Sequence, residues 1–294
     1  MLDLCSPAVI RDIQTRYGFS FSKALGQNFL INPTVCPRMA EACGGEGCGV
    51  LEIGPGIGVL TAQLALRAKK VVAVELDKRL VPVLGETLAE FPHVKVVQGD
   101  ALKLDLQELI GREFPGMQVS VCANLPYYIT SPVIMALLEQ RLPLTGITVM
   151  VQKEAAARIT AAPGTRQCGA ISAAIHYYAR PETLFAVSRG SFMPPPEVDS
   201  AVIRLTLREK PAVAVSDEAL FFSVVRGAFS MRRKTVLNCL SAAFRLSKEP
   251  LKLAMEGVGV APASRAEQLT LRELAALAEA VKGLLPQNSG DTGK

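Results

Sequence analysis

The chain is poor in histidine: His93 and His176 are the only two in 294 residues, and neither stands in a metal-ligating or nucleophile pattern. Chemistry built on imidazole is therefore not expected. The seven cysteines (Cys5, Cys36, Cys43, Cys48, Cys122, Cys168 and Cys239) include no C-x-x-C pair, and no histidine lies near Cys43 and Cys48. That spacing does not suit zinc, and the thiols read as small buried hydrophobes in a reducing cytosol. No apolar run reaches the ~18 residues a bilayer span requires. Nor does a basic stretch followed by an apolar one open the sequence, as a secretory signal would. A cytoplasmic protein with no membrane or metal partner is expected. No internal repeat or low-complexity tract interrupts the chain.

What is present is a globular composition, 49% apolar and 20% charged, with a net charge of +5 that leans mildly towards a polyanionic partner. A length of 294 residues suits one large domain and a smaller one. From residue 49 onward, short β-branched runs alternate with helical patterns. Strands are expected at Val50–Ile53, Val71–Val74, Val94–Val97, Val119–Cys122 and Ile147–Val151. Helices are expected over Val59–Ala68, Lys78–Glu90 and Glu154–Ile159. That rhythm predicts a parallel sheet with helices on both faces. Phe185–Val187 and Ala201–Leu205 follow without a helix between them, as an antiparallel pair at one edge would. Beyond Pro211 only helical spacing remains, over Phe221–Phe229, Thr235–Phe244 and Leu271–Leu285. The expected division is 1–210, an α/β domain with an N-terminal arm, and 211–294, a small all-helical domain. The polar stretch 287–294 reads as a disordered tail.

The first strand runs into Glu52-Ile-Gly54-Pro-Gly56-Ile-Gly58. Glycines here let the backbone turn tightly and approach a ligand at the head of a helix. Many nucleotide binders share such a turn, and a tight turn with no ligand would look the same. Val59 stands where a dinucleotide fingerprint has Gly or Ala, which counts against a nicotinamide oxidoreductase, and no lysine follows to make a P-loop. Glu75 closes the second strand and can accept hydrogen bonds from ribose hydroxyls, while Asp100 closes the third and can accept from an adenine amine. The fourth strand ends in Asn124-Leu125-Pro126-Tyr127. Here Asn offers an amide oxygen, Pro fixes the backbone so that neighbouring carbonyls point into the crevice, and Tyr offers an aromatic face. An adenine amine is a poor nucleophile because its lone pair is delocalised into the ring. Two acceptors on its hydrogens favour a pyramidal nitrogen and aim the lone pair at a sulfonium methyl group.

These residues occur in order with Gln27-Asn28-Phe29-Leu30, Val74-Glu75-Leu76-Asp77, Gly99-Asp100-Ala101, Gln152-Lys153-Glu154, Phe192-x-Pro-Pro-Pro196, Val198-Asp199-Ser200 and Arg232-Arg233-Lys234. The set resembles the ribosomal RNA adenine N6,N6-dimethyltransferase family, most closely its bacterial small-subunit (16S) branch, over about residues 10–285. The resemblance implies a class I methyltransferase fold: a Rossmann-like, seven-stranded, mostly parallel sheet with an antiparallel edge strand, plus a small all-α C-terminal domain. It implies S-adenosylmethionine as cofactor and two methyls on each of two adjacent adenines in the last hairpin loop of 16S rRNA, in the immature small subunit.

Carried over residue by residue, the family pattern puts Asn28, Leu30, Gly54, Gly56, Glu75, Asp100 and Asn124 at the cofactor. It puts Asn124, Leu125, Pro126, Tyr127 and Phe192 at the target base, Phe192 stacking opposite Tyr127. Arg232, Arg233 and Lys234, expected to open a helix, would meet RNA phosphates, with Lys153 at the cleft rim. The family departs at Gln167-Cys168-Gly169, where a tyrosine more often precedes the glycine. Two other readings stay open: dimethylation of a large-subunit adenine, and a non-catalytic ribosome-assembly factor on the same fold. Nothing in the sequence reads as an interface between copies, so a monomer is expected.

Overall fold

The computed structural model describes residues 2–22, 26–44 and 47–286; the expected disordered tail, 287–294, lies outside them. Seven strands form the main sheet: β1 (Gly49–Ile53), β2 (Lys70–Glu75), β3 (Val94–Gln98), β4 (Val119–Asn124), β5 (Leu144–Gln152), β6 (Ala179–Val187) and β7 (Ser200–Leu207). Their spatial order is β3-β2-β1-β4-β5-β7-β6. The pairs β1–β2, β1–β4, β2–β3 and β4–β5 are parallel, and β7 runs antiparallel to β5, pairing from Gly146↔Thr206 to Gln152↔Ser200. All seven strands expected from the sequence are present, and the sheet is the mostly parallel one implied by the resemblance.

The reason lies in burial. Every residue of β1 is buried, as are all of β2 after Lys70 and all of β4 before Asn124. Strands covered on both faces read as continuous apolar runs, which is how this sequence announces them. β3, at one edge, is only partly buried and carries Lys95 and Gln98 outward. The helices Pro7–Tyr17, Val35–Cys43 and Val59–Ala65 bring Ile10, Ile13, Met39, Leu60 and Leu64 into one apolar cluster with Val50 and Val71. None of the described helices is long and apolar enough to cross a membrane.

The chain divides into two compact units, residues 1–160 with 180–207, and residues 161–179 with 208–294. A cut at 210 leaves 161–179 in the first unit, whereas the structure groups it with the second. The cause is the helix Ala170–Tyr178, which the sequence reading passes over. Its buried Tyr177 packs on Phe221 and Phe222, at ring-centroid distances of 5.1 and 5.2 Å, and Tyr178 stacks on Phe222 at 5.4 Å. Tyr177 and Tyr178 also hydrogen-bond the Glu218 carboxylate, at 3.1 and 2.7 Å. The departure at Gln167-Cys168-Gly169 causes no disorder: Cys168 is buried, and the Gly169 N–H donates to Ser172 Oγ at 2.9 Å to cap this helix. The second unit is otherwise built from the helices Glu218–Ala228, Val236–Phe244, Lys248–Gly257 and Leu271–Leu284.

Candidate functional site

A cavity opens at the carboxyl ends of β1 to β4, where open α/β sheets place their ligands. Asn28, Leu30, Gly54, Gly56, Glu75, Asp100, Asn124, Leu125, Pro126, Tyr127 and Phe192 all line it. The parallel sheet gathers four strand ends, and the arm 26–30 supplies the remaining wall. Leu30 and Phe192 pair as antiparallel backbone partners, and the Ile31 N–H donates to Ser191 O at 2.8 Å, so the arm is stitched to residues 191–193.

The glycine turn is shaped for close approach. Gly54 has φ +72°, and a Cβ placed there would meet no atom within 4 Å, so its face towards the cavity is open. Gly56 has φ +61°, and a Cβ would sit 3.2 Å from the Phe29 ring of the arm. Glu75 fixes the turn from the neighbouring strand: its Oε2 accepts the Gly56 N–H at 3.1 Å, and its Oε1 accepts the Asp77 N–H at 2.8 Å. Burial raises the Glu75 carboxyl above its ordinary pKa, against those two backbone donors. Each oxygen keeps a lone pair for a hydroxyl donor. Asp100 accepts the Leu102 N–H at 3.0 Å and lies 3.5 Å from Lys103 Nζ.

One acid at the site drew no role from the sequence. Glu52, two residues before Gly54, is 1% exposed and lines the cavity. Among the described residues its Oε2 has no hydrogen-bond partner, nor has the hydroxyl of buried Thr61. Burial pushes its pKa up to about 8, with the nearby Thr61 hydroxyl opposing and the Glu75 charge adding. A motif marks the position, but only the folded chain shows that this carboxyl is sealed from water.

At the end of β4 the backbone divides its acceptors. The Pro126 carbonyl is committed, taking the Ile129 N–H at 3.1 Å and the Thr130 hydroxyl at 3.3 Å. The Leu125 carbonyl and the Asn124 carboxamide have no hydrogen-bond partner among the described residues. The Leu125 side chain is 1% exposed, so this residue offers the cavity its backbone. Tyr127 is half-buried, and its hydroxyl lies 2.9 Å from Ser200 Oγ, which fixes the ring from β7. Phe192 is 3% exposed, a member of the apolar core that also reaches the cavity wall.

The predicted cations lie elsewhere in the chain. Lys153 is exposed at the start of the helix Lys153–Thr160, with its N–H on Asp199 O at 3.0 Å. Arg232, Arg233 and Lys234 belong to the second unit and are all exposed. They do not open a helix: they form the turn before Val236–Phe244, whose N-cap is Thr235. The Thr235 hydroxyl accepts from Asn238, and a Lys234 N–H bond to Met231 O at 2.9 Å tightens the turn. None of the three has an acidic partner among the described residues.

The chain is similar to known proteins in both sequence and fold. The profile of the family described as ribosomal RNA adenine dimethylase matches residues 18–282. Ribosomal RNA small subunit methyltransferase A of Geobacillus thermodenitrificans is 48% identical over 96% of this chain and 98% of its own. The protein of the same name from Bacillus mycoides is 49% identical over the same shares. Among solved structures, a dimethyladenosine transferase from Plasmodium falciparum superposes with a TM-score of 0.71 at 27% identity, over 87% of this chain and 98% of that one. The 23S rRNA methyltransferase ErmE superposes with a TM-score of 0.67, also at 27% identity, over 87% of this chain and all of its own. The chain belongs to the ribosomal RNA adenine dimethylase family.

Proposed function

We propose that this chain transfers methyl groups from S-adenosylmethionine to N6 of two adjacent adenines in the 3′-terminal hairpin loop of 16S rRNA, on the immature small subunit in the cytoplasm. The observation that carries the chemistry is the pair of acceptors at the end of β4 left unpartnered among the described residues, the Asn124 carboxamide oxygen and the Leu125 carbonyl. The branch is argued from sequence likeness: the small-subunit relatives stand at 48–49% identity, against 27% for the 23S enzyme.

The cavity suits the cofactor on its own chemistry. Gly54 leaves an open cradle, and Glu75 and Asp100, which line the same cavity, offer carboxylate acceptors. Asn28, Leu30, Gly54, Gly56, Glu75, Asp100 and Asn124 are the residues that would hold S-adenosylmethionine, Glu75 taking the ribose and Asp100 the adenine. When bound, it supplies a sulfonium methyl with a neutral leaving group, so the protein need only orient and activate the acceptor. The Asn124 oxygen and the Leu125 carbonyl each accept one N–H of the target amine. This localises the lone pair on nitrogen and stabilises the positive charge that develops there. Pro126 holds the backbone in that pose, and Tyr127, braced by Ser200, gives a stacking face for a base extruded from its loop, with Phe192 completing the slot.

The test is transfer of labelled methyl groups to small subunits from cells lacking this modification, with mature and large subunits as controls. Label recovered as N6,N6-dimethyladenosine from immature small subunits alone is the expected result. Label in large-subunit RNA moves the substrate to the other branch, and binding without label leaves an assembly factor.

Arg232, Arg233, Lys234 and Lys153 are assigned to the RNA backbone. Replacing Arg232, Arg233 and Lys234 together by glutamine should weaken RNA binding and lower the slope of log K against log salt by about 2, at ~0.7 per phosphate contact on single strands. An unchanged slope would remove this cluster from the interface.

A further inference from the structure

Residues 26–30 form one wall of the cavity. Gly26 lies against Pro126 and Tyr128, a Cβ there falling 3.3 and 3.6 Å from them, and Phe29 lies against Gly56. Among the described residues the Asn28 side chain bonds within the arm, to Gly26 O at 3.1 Å. Gln27 differs. Its Nε2 donates to Asp77 Oδ2 at 3.0 Å, while its Oε1 accepts the Ser22 N–H at 2.8 Å and its own N–H donates to Ser22 O at 3.1 Å. Both ends of one carboxamide are thus used, one on Ser22 and one to fasten the arm to Asp77, just past the end of β2.

The anchor is a strong one. Asp77 is 7% exposed, and Arg79 grips it through Nε at 2.9 Å and Nη2 at 2.6 Å. That guanidinium, helped by Gln27, holds the Asp77 carboxyl down to about 2, so the acceptor stays charged at any working pH. The Asp77 N–H in turn donates to Glu75 Oε1, whose other oxygen holds Gly56. One continuous series of bonds therefore runs from the arm, through Gln27, Asp77 and Glu75, to the glycine turn.

We infer that Gln27 is a positioning residue, a latch that holds the arm across the cavity and so sets affinity for the cofactor without entering the methyl-transfer step. The inference rests on the reading of this cavity as the S-adenosylmethionine site. A hydrogen bond to a charged acceptor outweighs a neutral one, so its removal weakens binding by roughly tenfold or more. The β4 acceptors are untouched by it, so turnover at saturating cofactor stays near that of the parent.

The experiment measures S-adenosylhomocysteine affinity by calorimetry, and KM for S-adenosylmethionine and kcat, for the wild type and for Gln27→Leu, Gln27→Glu and Gln27→Lys. Thermal unfolding of each variant checks the fold. The expected order of affinity is wild type, then Gln27→Lys, whose ammonium reaches the same carboxylate, then Gln27→Leu. Gln27→Glu falls last, because it sets one carboxylate against another. KM should rise in that order, with kcat changing by less than about twofold in Gln27→Leu. The latch is overturned if Gln27→Leu binds like the wild type, if kcat falls in step with affinity, or if the lysine and glutamate variants are indistinguishable. Failure of the wild type itself to bind S-adenosylhomocysteine overturns the cofactor reading instead, and the two failures are told apart by that one titration.

Discussion

Replacing Asn124 by alanine is expected to lower methyl-transfer turnover by about two to three orders of magnitude, the size of effect seen when one preorganised polar partner of a developing charge is removed. Cofactor affinity should fall far less, by about fivefold, the worth of a single neutral hydrogen bond. The separation follows from where the residue sits. Asn124 ends β4 with its carboxamide unpartnered among the described residues, next to the Leu125 carbonyl, which also lacks a donor among them. Glu75, Gly54 and Asp100, which line the same cavity on β2, the glycine turn and the end of β3, remain in place. Single-turnover rates with saturating cofactor, alongside calorimetry of the same variant, measure both quantities. Leu125→Met serves as the contrast, because it changes a buried side chain and leaves the carbonyl, and it should keep most of the turnover. An alanine variant that turns over normally, or that loses cofactor binding and turnover together, would contradict the assignment.

The second large effect is on stability against pH. Glu52 is buried in the first unit with its pKa raised to about 8 from an ordinary 4.5, chiefly by burial, with the Thr61 hydroxyl opposing and the Glu75 charge adding. A carboxyl raised on folding keeps its proton in the folded chain where the unfolded chain has lost it. Folding therefore takes up a proton between those two values. Stability from this group is greatest below pH 4.5, falls as pH rises towards 8, and levels off above, at up to about 1.4 kcal/mol per pH unit. The carboxamide of the variant Glu52→Gln cannot ionise, so the gap between variant and wild type should widen in the variant's favour over that window. Between pH 6 and 8 the relative change is on the order of 2–3 kcal/mol. Denaturant unfolding of the two proteins across about pH 5 to 9 reads it directly, and parallel curves would mean that Glu52 is already ionised, or in contact with water, in the folded state.

The inner strands β1, β2 and β4 are legible because they are buried on both faces, which leaves near-continuous apolar runs with polar or glycine stops at Gly54, Glu75 and Asn124. The helix Ala170–Tyr178 is not, since AISAAIHYY has almost no polar face to set a period, and what fixes it is packing on Phe221 and Phe222 far along the chain. At the site, the acids at strand ends and the N-L-P-Y turn can be placed from spacing alone. Three things cannot. That Leu125 contributes a carbonyl is a property of the backbone, invisible in its side chain. The isolation of Glu52 depends on the layers around it. The bond from Gln27 to Asp77 spans fifty positions, and only the folded arm brings the two together. Arg232 to Lys234 resemble a helix start because Thr235, the true cap, follows them directly.

The interleaving of the two units has a genetic consequence. The second unit is assembled from two separated stretches, 161–179 and 208–294, with β6 and β7 of the first between them. A gene fragment that begins at codon 208 encodes Phe221 and Phe222 without the tyrosines that cover them, and so exposes an aromatic surface. Exchange of this unit between relatives by a single crossover therefore mismatches partners across the aromatic cluster. An intact swap takes three exchanges, at about codons 160, 180 and 208, so the two units are expected to be inherited together rather than shuffled.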